Sequence, residues 1–152
     1  MAAAEVVEAL RVRFDAGEFA LGAEVEADSL LEVLRALRDA HGYRYYVSAT
    51  AVDGSEEIEL LHGVRNLEAN DDFWVRVRLP RDRPEVSSAA FVYAGAEWHE
   101  REVLDLFGVT FRSHPDPRRI LMPDDYEGHP LRKDFSIDTP WGYRPPTETE
   151  NS

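Results

Sequence analysis

The chain has 152 residues, a net charge of −13 at neutral pH and no cysteine. This length fits one domain, or one domain with a tail. The missing cysteines exclude thiolate ligands for zinc or iron–sulfur clusters and a thiol nucleophile. The negative charge opposes a nucleic-acid partner, because phosphate binding requires a basic surface. No apolar run reaches the roughly 20 residues of a membrane span, and the first residues lack a secretory signal, so we expect a cytoplasmic chain.

The first part of the sequence predicts two helices with a short strand between them. Apolar side chains at helical spacing predict a helix over residues 3–15, and residues 19–25 are typical of a short strand. Ser29 and Glu32 fit a capping box at the start of a second helix, which Gly42 ends. The second helix has the clearer apolar face and carries no residues suited to catalysis.

Three strands are predicted next, over residues 43–52, 58–64 and 73–79. Asp53-Gly54 is typical of a hairpin turn between the first two strands. In the third strand, apolar residues alternate with one tryptophan and two arginines, so one face is apolar and the other is basic. We therefore expect helices on one face of the sheet, and water or a partner on the other.

The last elements precede a long segment without periodicity. The serine pair 87–88 is expected to cap a short helix that ends near Tyr93. A longer helix follows over residues 96–107, Gly108 ends it in the left-handed conformation, and residues 109–111 form a short strand. Strands that follow one another, instead of alternating with helices, favour an α+β fold.

The expected architecture is an α+β two-layer sandwich with an extended C-terminal tail. Its mixed sheet has about four to five strands and carries helices on one face. Residues 1–111 form the domain, residues 112–144 form an extended docking tail, and residues 145–152 form a disordered terminus. Seven of the nine prolines lie beyond Arg112, where the periodic pattern ends.

Two residues of the helix over 96–107 break its amphipathic order. Glu100 lies within the apolar arc, and a buried carboxylate must be paired or protonated. It is therefore either tied to an arginine of the tail or a general acid or base with a raised pKa. Trp98 lies on the charged arc, which indicates a helix covered on both sides, by the tail or by another protein. The arginines considered as partners of Glu100 are Arg118, Arg119 and Arg132.

The tail invites a metal-site interpretation at His114 and His129, with Asp116, Asp124 and Asp125 close in sequence. Each histidine precedes a proline and is therefore held extended. The separation of the two histidines matches no compact metal template. We favour rigid turns in which each imidazole bonds to backbone or to a carboxylate. The tail also balances five basic against five acidic residues up to Phe135, which does not suit a polyanionic partner.

Three runs of residues carry a resemblance to a known family. They are Glu100-Arg101-Glu102 with Asp105-Leu106-Phe107-Gly108-Val109, then His114-Pro115-Asp116 with Arg118-Arg119-Ile120-Leu121, and finally Gly128-His129-Pro130-Leu131-Arg132-Lys133-Asp134-Phe135. The pattern resembles the C subunit of NADH:quinone oxidoreductase, which is respiratory complex I or NDH-1. The resemblance implies scaffold or interface roles for a set of residues, to which the helical wheel adds Trp98. That set is Glu100, Arg101, Glu102, Asp105, His114, Asp116, Arg118, Arg119, His129, Arg132, Lys133 and Asp134.

The resemblance implies a non-catalytic subunit of the peripheral arm of a proton-translocating enzyme. Such a subunit scaffolds the large quinone-site subunit during electron transfer from NADH to quinone. FMN, iron–sulfur clusters and quinone are then bound by partner subunits and not by this chain. The chain is expected at the cytoplasmic side of the cell membrane, reaching the membrane only through the complex, with other peripheral-arm subunits as partners and without nucleic acid.

Other functions remain open from the residues alone. The resemblance also implies an equivalent subunit in membrane-bound hydrogenases and in quinone reductases fed by ferredoxin or a deazaflavin, since the electron donor is bound elsewhere. A regulatory binding module of such a hydrogenase is one alternative. A stand-alone hydrolase that uses Glu100 or Glu102 is another.

Overall fold

A computed structural model describes residues 3–54 and 56–135 of the chain. Three α-helices and seven strands follow one another along these residues, with a 3-10 turn at Ala27–Ser29. The helices are α1 (Ala3–Phe14), α2 (Leu30–Asp39) and α3 (Ala96–Phe107). The strands are β1 (Gly17–Phe19), β2 (Gly22–Glu24), β3 (Tyr45–Asp53), β4 (Glu57–Asn66), β5 (Asp71–Pro80), β6 (Glu85–Ser87) and β7 (Thr110–Arg112).

Five strands form one mixed sheet in the order β1-β2-β5-β4-β3. Among these described strands β2 and β5 run parallel, while the other neighbours in the sheet are antiparallel. The strands β6 and β7 form a separate parallel pair, which brings the end of α3 beside the segment that follows β5. The α+β class and the mixed sheet expected from the sequence are confirmed.

The core lies on one face of the sheet. Val75 and Val77 of β5 and Leu60 of β4 are fully buried there, against α2 residues such as Leu34 and Leu37. Side chains that alternate with these along β5 remain partly or largely exposed, because no helix of the described chain covers that face. Buried and exposed side chains thus alternate along the strands, and the helices cover the apolar face to give the two-layer arrangement. None of the described helices is long and apolar enough to cross a membrane.

Two local predictions are wrong. Residues 19–25 do not form one strand, because the chain turns between β1 and β2 and makes a small hairpin. Gly22 lets β2 lie close against β5, since a side chain there would collide with the backbone of Trp74 on β5. The predicted capping box at Ser29 is absent, because Ser29 already has helical backbone angles in the 3-10 turn and its side chain makes no cap bond.

The serine pair 87–88 also behaves differently from its prediction. Ser87 ends β6, and a series of turns replaces the short helix expected through Tyr93. Ser88 still accepts the N–H of Ala90 at 3.1 Å, as a cap would, but it directs its own hydroxyl toward α3. Beyond β7 the described chain has no helix or strand up to Phe135, as expected for an extended tail. The rest of the predicted tail and the terminus 145–152 lie outside the described residues.

Candidate functional site

The candidate site is the junction between the end of α3 and the tail. Gly108 ends α3 with a φ of 75°, as predicted, and donates its N–H to the carbonyl of Leu104 at 2.9 Å. The His129 ring lies directly against this glycine, so that a Cβ at position 108 would approach the ring Cδ2 to 2.6 Å. The left-handed glycine therefore both stops the helix and makes room for the tail.

Asp105 is the main anchor of the tail. Its carboxylate is fully buried and accepts the N–H groups of Leu121 and Met122, each at 2.8 Å. The Arg119 guanidinium donates to the same carboxylate at 2.8 Å. Burial raises the pKa of Asp105, but the N–H groups of the tail and Arg119 together outweigh it, so the pKa lies below its usual value. The Asp105 carboxylate is thus kept in its ionised form and binds the backbone of the tail.

Arg101 binds the preceding part of the tail. Its side chain is 8% exposed and donates to the carbonyls of Arg118 at 2.9 Å and Arg119 at 3.0 Å. The Asp116 carboxylate lies 3.7 Å from the same guanidinium and forms a closer pair with the exposed Arg118 side chain. Arg101 therefore binds the backbone of the tail. The path of the tail is thus fixed independently of most of the tail's side chains.

The last carbonyls of α3 are also satisfied by the tail. A helix leaves its final carbonyls without partners inside the helix, and buried ones require other donors. One imidazole, two guanidiniums and one backbone N–H supply these donors; one of the guanidiniums is that of Arg119, which donates to the Asp105 carbonyl at 3.1 Å. The other pairs are His129 Nδ1 to the Asp105 carbonyl at 2.9 Å, Leu131 N–H to the Leu106 carbonyl at 3.0 Å, and Arg132 Nε to the Phe107 carbonyl at 2.6 Å.

The far end of the described tail is tied to the sheet. Asp53, at the end of β3, accepts the N–H of Lys133 at 2.6 Å and pairs with Arg81. Arg81 in turn contacts the Asp134 carboxylate at 3.0 Å. Asp53 is 4% exposed, so this tie is largely shielded from water. No local pattern in the sequence marked Asp53 and Arg81, because an aspartate before a glycine is typical of a hairpin turn.

Glu100 is buried as the helical wheel predicts, but its predicted partners are wrong. Its carboxylate accepts the Ser88 hydroxyl and the Ala89 N–H, both at 2.6 Å, and no arginine of the described chain reaches it. His114 Nε2 lies 3.7 Å away. Burial raises the pKa of Glu100 to about 7, and the bonds from Ser88 and Ala89 offset part of that rise. The tail arginine expected at Glu100 instead binds Asp105, more than one turn farther along α3.

The two histidines of the tail bond to backbone. His114 Nε2 donates to the Glu97 carbonyl at 3.0 Å, while its Nδ1 accepts the Asp116 N–H at 2.9 Å. Both ring nitrogens are thus occupied in the neutral imidazole. Burial lowers the pKa of His129, which likewise favours a neutral ring. Among residues 3–54 and 56–135, no three acidic or histidine side chains are grouped so that they could hold a metal ion.

The remaining residues of the predicted set are more exposed. Glu102 is exposed on α3. Trp98 is 58% exposed, so the described tail does not cover it. Its ring centre lies 5.0 Å from the Arg101 guanidinium carbon, in a cation–π arrangement. The structure therefore collects most of the predicted residues around the junction, while their roles at an interface stay a prediction.

Comparison with known proteins identifies the family. The family described as the respiratory-chain NADH dehydrogenase 30-kDa subunit matches residues 23–140. The chain belongs to this family. The NADH-quinone oxidoreductase C subunit from Moorella thermoacetica is 42% identical over 120 residues, which cover 78% of this chain and 81% of the relative. The corresponding subunit from Saccharopolyspora erythraea is 40% identical, over 84% of this chain and 53% of the relative.

Solved structures of similar chains support the same fold. A chain of the archaeal membrane-bound sulfane sulfur reductase, a respiratory membrane complex, is 28% identical with a TM-score of 0.75, over 88% of this chain and 85% of that chain. A trypsin-resistant fragment of Nqo5 has a TM-score of 0.63 at 24% identity, over 74% of this chain and 97% of the fragment. The resemblance to the C-subunit family of NADH:quinone oxidoreductase is thus confirmed.

Replacing Gly108 with alanine is expected to loosen the junction. The substitution strains a backbone at φ 75° and drives a methyl group toward His129, so we expect a loss of about 1–3 kcal/mol in the free energy of unfolding. Chemical denaturation measures the loss. Gly95→Ala, at the other end of α3, is the matched control, because its Cβ would meet Tyr46 at an ordinary 3.7 Å. Equal stability of the two variants would contradict the prediction.

Replacing Asp53 with alanine is expected to release the far end of the tail. It removes the acceptor of the Lys133 N–H and leaves Arg81 without its buried partner, at a cost of about 1–3 kcal/mol. Faster hydrogen exchange at residues 133–135 checks this result. Asp134→Ala is the control, since that carboxylate is 68% exposed and a pair of this kind contributes about 0–1 kcal/mol. Unchanged exchange in the Asp53 variant would count against the tie.

Proposed function

We propose that the chain is a scaffold subunit of a proton-translocating NADH:quinone oxidoreductase, holding the large quinone-site subunit in place. The observation that carries the proposal is the junction itself, where Asp105 and Arg101 fix an extended tail on the surface of the domain. A domain that holds an extended segment in place with polar anchors presents a preformed surface to a partner. Membership of the family supplies the class of complex.

The proposal assigns no catalytic residue to this chain. Glu100, the strongest candidate for a general acid or base, has both carboxylate oxygens bound by Ser88 and Ala89 and is shielded from solvent. A substrate could reach Glu100 only if α3 separated from the loop after β6. We accordingly place FMN, the iron–sulfur clusters and quinone on partner subunits, and the chain at the cytoplasmic side of the membrane through the complex.

A second candidate is the equivalent subunit of a sister assembly. The similarity to a chain of an archaeal membrane-bound sulfane sulfur reductase favours this alternative, because it shows the fold in another respiratory membrane complex. Such assemblies would include a membrane-bound hydrogenase or a quinone reductase fed by ferredoxin or a deazaflavin. The donor-binding subunit distinguishes them, since the proposed role of this chain is the same in each.

Purification of the tagged full-length chain in mild detergent tests the proposal. We expect a flavin-bearing subunit and the quinone-site subunit to co-purify in stoichiometric amounts, identified by mass spectrometry and flavin fluorescence. A nickel-bearing subunit in place of the flavoprotein would select the hydrogenase alternative. Recovery of the chain alone, with hydrolytic activity that Glu100→Gln abolishes, would overturn the scaffold role.

A further inference from the structure

The tail at residues 119–122 turns its polar atoms inward and its apolar side chains outward. The N–H groups of Leu121 and Met122 point at the buried Asp105 carboxylate. The side chain of Leu121 nevertheless remains 58% exposed, and that of Ile120 37%. Burying such side chains would stabilise the fold, so their outward position does not stabilise the isolated domain. The arrangement suits a segment whose apolar side chains contact something else.

Trp98 on α3 is linked to this segment through Arg101. The Arg101 guanidinium is stacked on the Trp98 ring and donates to the carbonyls of Arg118 and Arg119. Trp98 and the start of the 119–122 segment therefore flank one guanidinium. We call Trp98, Ile120 and Leu121 the Trp98 patch. Tryptophan supported by a fixed arginine is a combination enriched among the residues that dominate binding energy at interfaces.

The loop that follows the Trp98 patch along the tail is acidic. Asp124, Asp125 and Glu127 follow the patch within one exposed loop. The exposed Arg118 beside the patch is paired with Asp116, and the side chains of Arg101 and Arg119 are only 8% and 16% exposed and bind the junction. The surface offered to a partner is thus apolar at its centre and negative at its edge. Complementary charge on the partner speeds encounter and selects the orientation of docking.

We propose that the Trp98 patch is the docking site for a partner subunit that presents an apolar pocket rimmed by lysine and arginine. This inference rests on the proposed scaffold function and names the surface that performs it. A second copy of this chain is a poor occupant, because each copy carries a net charge of −13 and would bring a second acidic loop to the same contact. The partner is therefore a different, locally basic polypeptide.

The first test truncates the patch in the tagged full-length chain. The double variant Trp98→Ala with Leu121→Ala is expected to lower the amount of co-purified partner at least about tenfold. The variant should remain folded, since both side chains are mostly exposed and only the exposed cation–π contact with Arg101 is lost. Val12→Ala on α1 is the matched control, because Val12 is 81% exposed and α1 contacts β2, away from the β3 edge where α3 packs. The control should retain the partner.

The second test addresses charge and identity. Asp124→Lys with Glu127→Lys should weaken capture of the partner, whereas Glu5→Lys with Glu8→Lys on α1 should not. A photo-crosslinking amino acid at position 121 should react with a partner peptide that contains lysine or arginine beside apolar residues. Crosslinks to a second copy of this chain, or to no protein, would overturn the inference.

The outcomes separate the two proposals. If the wild-type chain brings down redox subunits and the patch variants bring down the same amount, the Trp98 patch is not the docking site and the scaffold function stands. If the wild-type chain brings down no redox subunit, the scaffold function fails and the inference fails with it. Loss of partner in the patch variants alone supports both.

Discussion

Replacing Asp105 with asparagine is expected to lower the free energy of unfolding by about 3–5 kcal/mol, the cost of breaking a buried ion pair from one side. The asparagine fills the same volume but carries no charge, so the Arg119 guanidinium at 2.8 Å loses its counter-ion. One of its two side-chain positions becomes a donor, which faces the donating N–H groups of Leu121 and Met122. The tail should therefore detach from α3 while the sheet remains folded.

Chemical denaturation and hydrogen exchange of the isolated chain measure this result. Exchange should accelerate most at residues 119–132, while the core strand β4 should exchange only through global unfolding. Asp116→Asn is the matched control in the same tail, because its partner Arg118 is 72% exposed and the pair contributes at most about 1 kcal/mol. Similar losses in the two variants, or an unchanged tail in the Asp105 variant, would contradict the anchoring role.

The second large effect is expected on replacing Glu100 with glutamine, which should change how the free energy of unfolding depends on pH. Folding raises the pKa of Glu100 from 4.5 to about 7, mainly through burial. A raised pKa contributes stability that is complete below pH 4.5 and is lost as the pH rises through 7. The rise corresponds to about 3 kcal/mol at 1.36 kcal/mol per pKa unit. The wild-type chain should thus lose this amount between pH 4.5 and pH 8, while the variant should not.

The measurement is the difference between the two unfolding free energies, taken at intervals from pH 4.5 to pH 8. Using the difference matters because burial lowers the pKa of His62 to about 4, and that histidine costs stability as the pH falls below 6.5. The His62 contribution is common to both chains and cancels. Glu102→Gln, at an exposed position of the same helix, is the matched control. A constant difference for the Glu100 variant would refute the assigned cause.

Local pattern was sufficient for the periodic elements of the fold. The alternation along β4 and β5 and the apolar stripe of α2 each encode burial within a few residues, and Gly108 encodes the stop of α3. The placement of β2 beside β5 could not be predicted in this way, because it depends on Gly22 meeting Trp74, which is distant in sequence. Helix and strand periods carry no information about such a contact.

The junction could be predicted only in outline. The helical wheel correctly predicts that Glu100 lies in the core, yet it gives no sign that Asp105 is buried completely. Asp105 is buried by the tail rather than by the sheet, so no wheel of α3 alone could reveal it. The partners of both carboxylates include backbone N–H groups, which nearly every residue possesses and which therefore leave no signature in a sequence.

The way Asp105 holds the tail has an evolutionary consequence. Its carboxylate binds main-chain N–H groups at positions 121 and 122, which any amino acid other than proline supplies equally. Mutations at those positions can change the outward side chains without disturbing the attachment. Binding specificity and attachment can then be selected separately, so one domain could be adapted to new neighbours by a few substitutions in its outermost layer.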